Sequence, residues 1–246
     1  MHWSQEGLIL KTLGGSHAYG LQTETSDVDY RGVALPPVSW LVGFPPADYS
    51  SQTAETKTDV DDVVVHTLQK FCTLALKGNP NVLEVLFCRD EEVVFSTQDG
   101  HDLRAMRDAF LSRAVYASLS GYAFAQLKRM RNHNTDHGAH RDLIEKYGYD
   151  TKNGMHLVRL LLMGKEILAT GELHVYREDR EFLLSIRNGT YTAHQLQAMA
   201  EEMDAECLKL RDTSPLPERP DRERIESWLM EVQTRWINEH LSLLSQ

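Results

Sequence analysis

Only three cysteines occur in the 246 residues, Cys72, Cys88 and Cys207. They are odd in number, scattered and without a CxxC pair, so neither a disulfide scaffold nor a zinc knuckle is expected. The chain also lacks a basic balance: 26 Lys and Arg stand against 36 Asp and Glu, a formal net charge of −10. Neutralised phosphates drive nonspecific binding to nucleic acid, so a protein that coats a polyanion is excluded. Any nucleotide or nucleic acid has to be met by a local basic patch or through bound cations. No apolar run approaches the roughly 20 residues that span a bilayer. The opening MHWSQEGLIL has no basic segment ahead of a long apolar one, so no membrane span and no secretory signal are expected. The chain reads as soluble and cytoplasmic.

What is present changes character near residue 100. Leu8 to Leu13 is an apolar run that breaks at GGS, residues 28–35 (VDYRGVAL) alternate with β-branched residues, and 62–67 (DVVVHT) reads as a further strand. PPVSWLVGFPP reads as a Pro-punctuated loop and SSQTAETKTD as an exposed polar one. Leu68, Phe71, Cys72, Ala75 and Leu76 share one helical face, and Pro80 opens a short helix with Val82, Leu83 and Leu86. Beyond residue 100, apolar stripes run through Val115–Met130, Leu157–Leu168, Leu196–Leu210 and Ile225–Trp236, the third behind a Thr192/Gln195 capping box. Core packing accounts for each stripe. The expected division is an α/β domain, 1–98, and a helical domain, 99–246, with the boundary in residues 96–102.

Residues 14–33, GGSHAYGLQTETSDVDYRGV, carry the chemistry. A strand ends in Gly14-Gly15-Ser16, where glycine permits a tight turn and backbone N–H groups can cradle a phosphate. Ser26-Asp27-Val28-Asp29 follows. In a strand, Asp27 and Asp29 would present two carboxylates on one face, an arrangement that a hard divalent cation relieves. GGS alone and DVD alone are weak signals; their combination fits metal-assisted phosphoryl or nucleotidyl transfer.

The arrangement resembles the signature of the polymerase-β-like nucleotidyltransferase superfamily. With KGNPNVLEVLF and YDTKNGMHLVRLL, it resembles more narrowly the RNA repair pathway DNA polymerase β family, over roughly residues 7–237. The resemblance implies an α+β fold: a polymerase-β-like nucleotidyltransferase core, a mixed sheet backed by helices, followed by a helical C-terminal half. It implies that Gly15 and Ser16 bind nucleotide phosphates and that Asp27 and Asp29 hold Mg²⁺ or Mn²⁺. A third carboxylate from a neighbouring strand is expected among Asp59, Asp61 and Asp62. Asp62 is preferred because it opens the strand and shares a face with Val64 and His66, with Asp61 the alternative. Glu84, on a helix, reads better as a cap or surface residue. The implied reaction moves a nucleoside monophosphate from a nucleoside triphosphate to an acceptor hydroxyl, with release of pyrophosphate. Family context favours an RNA end. A protein hydroxyl, a small molecule, or nucleotide binding without catalysis are the other readings.

Two further clusters stand out. Lys152, His156 and Arg159 lie at i, i+4 and i+7, and share one face if the helix begins by residue 152. Their plain reading is a solvated face. The resemblance favours a cationic rail for phosphates. Residues 128–141, KRMRNHNTDHGAHR, are the densest positive stretch. Lys128, Arg129 and Arg131 there are possible nucleic-acid contacts, beside Arg141, His133, His137 and His140, and a solvated loop is an equal reading. His17 reads as loop filler or a phosphate contact, His66 as a strand-end residue rather than a ligand, and Trp40 and Phe44 as cover for the sheet or as a stack for a base, with Tyr30 and Arg31 as support for Asp29. Oligomeric state is not legible.

Overall fold

The computed structural model describes residues 3–24, 26–45, 48–58, 61–131 and 138–241. The elements of the first stretch are α1 (Trp3–Glu6), β1 (Leu8–Gly14), α2 (Gly15–Ala18), β2 (Val28–Ala34), α3 (Val38–Val42), β3 (Thr53–Lys57), β4 (Asp61–Thr67), α4 (Leu68–Leu76), α5 (Pro80–Phe87), β5 (Val93–Ser96) and α6 (Gln98–Ala105). The strands form one mixed sheet in the order β3-β4-β2-β1-β5. Only the β2–β4 pair is parallel.

Local chemistry sets these elements. Thr67 caps α4 by accepting the Lys70 N–H, and Asn79 caps α5 ahead of Pro80, whose fixed φ suits a first turn. Leu10, Val33, Leu68, Phe71, Leu83, Leu86 and Leu103 are buried between sheet and helices. Gly100 lets α6 lie against β1, since a Cβ there would meet the Ile9 carbonyl oxygen at 2.2 Å.

Residues 111–219 form a second compact unit, made of α7 (Val115–Met130), α8 (Gly138–Tyr147), α9 (Thr151–Thr170), α10 (Arg180–Arg187) and α11 (Ala193–Thr213). α9 is its axis: Leu157, Leu160, Leu161, Ile167 and Leu168 are buried, with Leu119, Ala123 and Leu127 of α7 and Leu196, Ala200 and Cys207 of α11. The Thr192/Gln195 capping box is present. Arg113 binds the carbonyl oxygens of Leu216 and Ser214, which ties the segment after α11 back to the start of the unit.

α12 (Arg222–His240) belongs to the first unit, which comprises 1–110 and 220–246. Trp236 Nε1 donates to the Pro36 carbonyl at 3.0 Å, and Asp221 N–H to that of Ala109. The expected division at 98/99 is therefore moved. Residues 96–102 hold the end of β5, the Thr97 cap and the start of α6, all joined to β1. An amphipathic stripe shows that a helix is buried on one side, but not against which unit.

Two further expectations change. The polar stretch containing TAETK is strand β3, and SWLV lies in helix α3. β3 is an edge strand with its outer side in water, so it needs no apolar alternation. β5, α8 and α10 were not foreseen. The cysteines are free and buried, as their scatter implied. Burial pushes the thiols up, Cys72 to about 12 and Cys88 and Cys207 to about 11. No helix among the described residues is long and apolar enough to cross a membrane.

Candidate functional site

Register assembles the acidic end of the sheet. Gly14 lies opposite Asp29 in the antiparallel β1–β2 pair, Asp29 beside Asp62 in the parallel β2–β4 pair, and Asp62 opposite Lys57 in β3–β4. Register partners share a face, so Lys57, Asp62, Asp29 and Gly14 form one row across strands about 4.8 Å apart. Asp61 pairs with Val28 and belongs to the other face. Asp59 lies outside the described residues. Asp27 is exposed and precedes β2, whose first residue is Val28, so strand alternation does not carry Asp27 to Asp29's side.

The turn after β1 presses on Asp29. Gly15 has φ +56°, a left-handed conformation, and a Cβ on it would lie 2.0 Å from Asp29 Oδ2. Glycine is required there by both conformation and space. Ser16 is half-exposed, and its carbonyl accepts the Leu21 N–H at 2.8 Å. The buried Nδ1 of the neighbouring His17 has no hydrogen-bond partner among the described residues.

Arg31, two residues past Asp29, shares its face. Its Nη2 donates to Asp29 Oδ1 at 3.2 Å and its Nη1 to the Tyr30 carbonyl at 3.2 Å. Its Nε lies 3.6 Å from Glu84 Oε1. Glu84 is only 2% exposed, which corrects the surface or cap reading. α5 is apolar on several sides, with Val82, Leu83, Val85 and Leu86 all buried, so a glutamate among them has no wet face to occupy. That surround was the sequence signal for it. A buried carboxylate needs a counter-charge, and Arg31 is one.

Among the described residues, no three His, Cys, Asp or Glu side chains converge as a metal-binding group. The expected trio is therefore not drawn together: Asp27 stands outside the strand and one oxygen of Asp29 is held by Arg31. The pair Asp29–Asp62 does suit a hard ion such as Mg²⁺, which takes one or two carboxylates together with substrate phosphates and water.

A second constellation lies in the helical unit. α9 begins at Thr151, early enough for Lys152, His156 and Arg159 to share a face. It is not a solvated face, since Arg159 is buried. Burial, then the charges of Arg159, Lys152, Arg187 and His140, hold the His156 imidazole well below its usual range. Asp150, fully buried, caps α9 by accepting the Asn153 N–H at 3.1 Å. Its other oxygen accepts from Asn153 Nδ2 at 2.6 Å and from His140 Nδ1 at 2.5 Å. The Thr151 hydroxyl donates to the Arg187 carbonyl at 2.8 Å, which fixes the end of α10 against the start of α9. Sequence spacing did not reveal Arg187 or the His140–Asp150 pair, because α8 and α10 meet α9 only through tertiary packing.

Elsewhere in the basic stretch, Lys128 and Arg129 are exposed at the end of α7. Arg131 bonds Gln197, and Arg141 pairs with Glu145 at 3.0 Å. His133 and His137 lie outside the described residues. His66 Nδ1 shares a hydrogen bond with Thr53 Oγ1 at 2.9 Å, and burial, aided by Lys70 and Arg31, lowers it to about 4. Trp40 packs near Trp3, and Phe44 is exposed.

The model of the RNA repair pathway DNA polymerase beta family matches residues 2–231. The chain belongs to that family. It is 34% identical over 93 residues to an uncharacterized 38.9 kDa protein of the nrdC-mobD intergenic region of Enterobacteria phage T4. That match covers 36% of this chain and 28% of the phage protein. Among solved structures it is similar to a nucleotidyltransferase-like protein from Exiguobacterium sibiricum, at 14% identity and a TM-score of 0.29, over 84% of this chain and 68% of the other.

Proposed function

We propose that this protein is a metal-dependent nucleotidyltransferase that moves a nucleoside monophosphate from a nucleoside triphosphate to an acceptor hydroxyl, with an RNA end as acceptor. The observation that carries the reading is the pairing of Asp29 and Asp62 in one register, with the Gly15-Ser16 turn pressed against Asp29. Asp29 and Asp62 would hold Mg²⁺ or Mn²⁺, with exposed Asp27 at the entrance to β2. When bound there, a divalent ion supplies charge stabilisation to the phosphates of an in-line displacement. The turn at Gly15 and Ser16 receives the triphosphate. The acceptor hydroxyl loses its proton to Asp62 as its oxygen bonds the α-phosphorus. The bond to the β-phosphate breaks and pyrophosphate leaves. In the helical unit, Lys152, Arg159 and Arg187 present a cationic face for phosphate with the neutral His156 among them, and Lys128, Arg129 and Arg131 a surface for RNA.

The test supplies α-labelled nucleoside triphosphate, Mg²⁺ and RNA. Transfer of label to RNA is expected, with loss of about a hundred- to a thousandfold in Asp29→Asn and in Asp62→Asn, the scale of removing one electrostatic transition-state contact. Label that appears on protein in a cell extract, and not on RNA, would replace RNA with a protein hydroxyl as acceptor. Nucleotide binding that survives Asp29→Asn, with no pyrophosphate from any acceptor, would sink the enzymatic reading.

A further inference from the structure

We propose that Arg31 is a built-in competitor for the divalent cation: its guanidinium holds Asp29 until a metal takes that carboxylate, and the buried Glu84 then keeps it. The proposal rests on the metal-site reading above. Two like charges in one row call for a cation, and Arg31 supplies one to Asp29 through the 3.2 Å contact at Oδ1. A metal held by Asp29 would draw on the same carboxylate, and two cations at one carboxylate repel each other. Arg31 therefore has to loosen its hold.

Its route is visible. The side chain runs over Gly14, where a Cβ would come 2.8 Å from Arg31 Cγ. On the far side lies Glu84, with Oε1 3.6 Å from Nε, a separation with room to shorten. Glu84 is almost wholly out of water, so its charge stays with the guanidinium through the exchange. The guanidinium's fixed fork of five N–H groups can serve both carboxylates. A small shift toward Glu84 tightens one pair as it frees the other, and no charge is left without a partner at either stage.

The experiment titrates the full chain with Mn²⁺, without nucleotide or RNA, and reads free Mn²⁺ by electron paramagnetic resonance. Wild type is compared with Asp29→Asn, Glu84→Gln and the double variant Arg31→Met/Glu84→Gln. Glu84→Gln leaves Arg31 to Asp29, so Mn²⁺ binding should weaken by about tenfold, the worth of a charged hydrogen bond. The double variant removes one positive and one negative charge, and with them the competitor. It should bind Mn²⁺ at least as tightly as wild type. Binding in Glu84→Gln within twofold of wild type overturns the proposal. So does a double variant weaker than wild type, because Arg31 would then be aligning Asp29 for the metal. If circular dichroism shows Glu84→Gln unfolded, the double variant decides alone by the same criterion. Wild-type protein with no Asp29-dependent Mn²⁺ binding overturns the metal site itself, and the exchange with it.

Discussion

His156 shows what a single residue reports about its surroundings. Burial and the charges of Arg159, Lys152, Arg187 and His140 all oppose its protonation, while Asp150 is bound to His140 and Asn153. An anion placed among these groups reverses the field, so binding should raise the His156 pKa and draw in a proton. Affinity therefore rises as pH falls. Sulfate is a suitable probe because its own charge stays fixed across the range. Calorimetry at pH 7.5 and 6 should show tighter binding at the lower pH, with proton uptake seen as a dependence of the heat on buffer. His156→Gln should flatten the profile. Equal affinity at the two pH values would show that His156 takes up no proton on binding, and no sulfate binding at either would refute a phosphate-binding role for this face.

At the scale of elements, the start of α9 depends on Asp150. The buried carboxylate caps the helix and binds Asn153 and the part-exposed His140. Asp150→Ala removes the cap and strands two donors, so unfolding free energy should fall by about 2–4 kcal/mol, measured by urea denaturation. A loss under about 1 kcal/mol would show that water replaces the cap. Helices were legible where one face was apolar and the other wet, as in α4, α7, α11 and α12, and α9 was legible from its apolar stripe alone. β3 was not, because polar residues serve on the outer edge of a sheet. The acidic row was half legible. Asp29 and the glycine turn stand in one segment of sequence, and Asp62 could be preferred from its place at the head of a strand. Glu84 was misread because its counter-charge, Arg31, is distant in sequence and meets it only through α5 packing on β1.

For the whole molecule, the main surprise is that the chain's last helix returns to its first unit. α12 buries Ile225 and Val232 there and bonds Pro36 through Trp236. Truncation after Arg219 should destabilise the sheet unit by about 3–6 kcal/mol, from two buried apolar side chains at about 1.5–3 kcal/mol each. Thermal denaturation followed by Trp3 and Trp40 fluorescence would measure it, and an unchanged midpoint would show α12 to be dispensable. The net charge of −10 also takes on a different meaning at this scale. The acidity includes a row of carboxylates with cations beside them, while Lys152, Arg159 and Arg187 are gathered at one place in the other unit.

The tandem Asp61-Asp62 followed by three valines makes β4 a strand with little sense of its own position. A slip by one residue against β2 would set Asp61 beside Asp29 and Asp62 beside Tyr30, and would still leave valines beside Arg31 and Gly32. The pairings at Asp29, Arg31 and Gly32 keep their residue types through that error, so they report it poorly. The far end reports it: His66 is bonded to Thr53, Thr67 to Gln52, and Thr67 also caps α4. The alignment of the carboxylates is thus proofread at the opposite end of their own strand, by residues that never touch them.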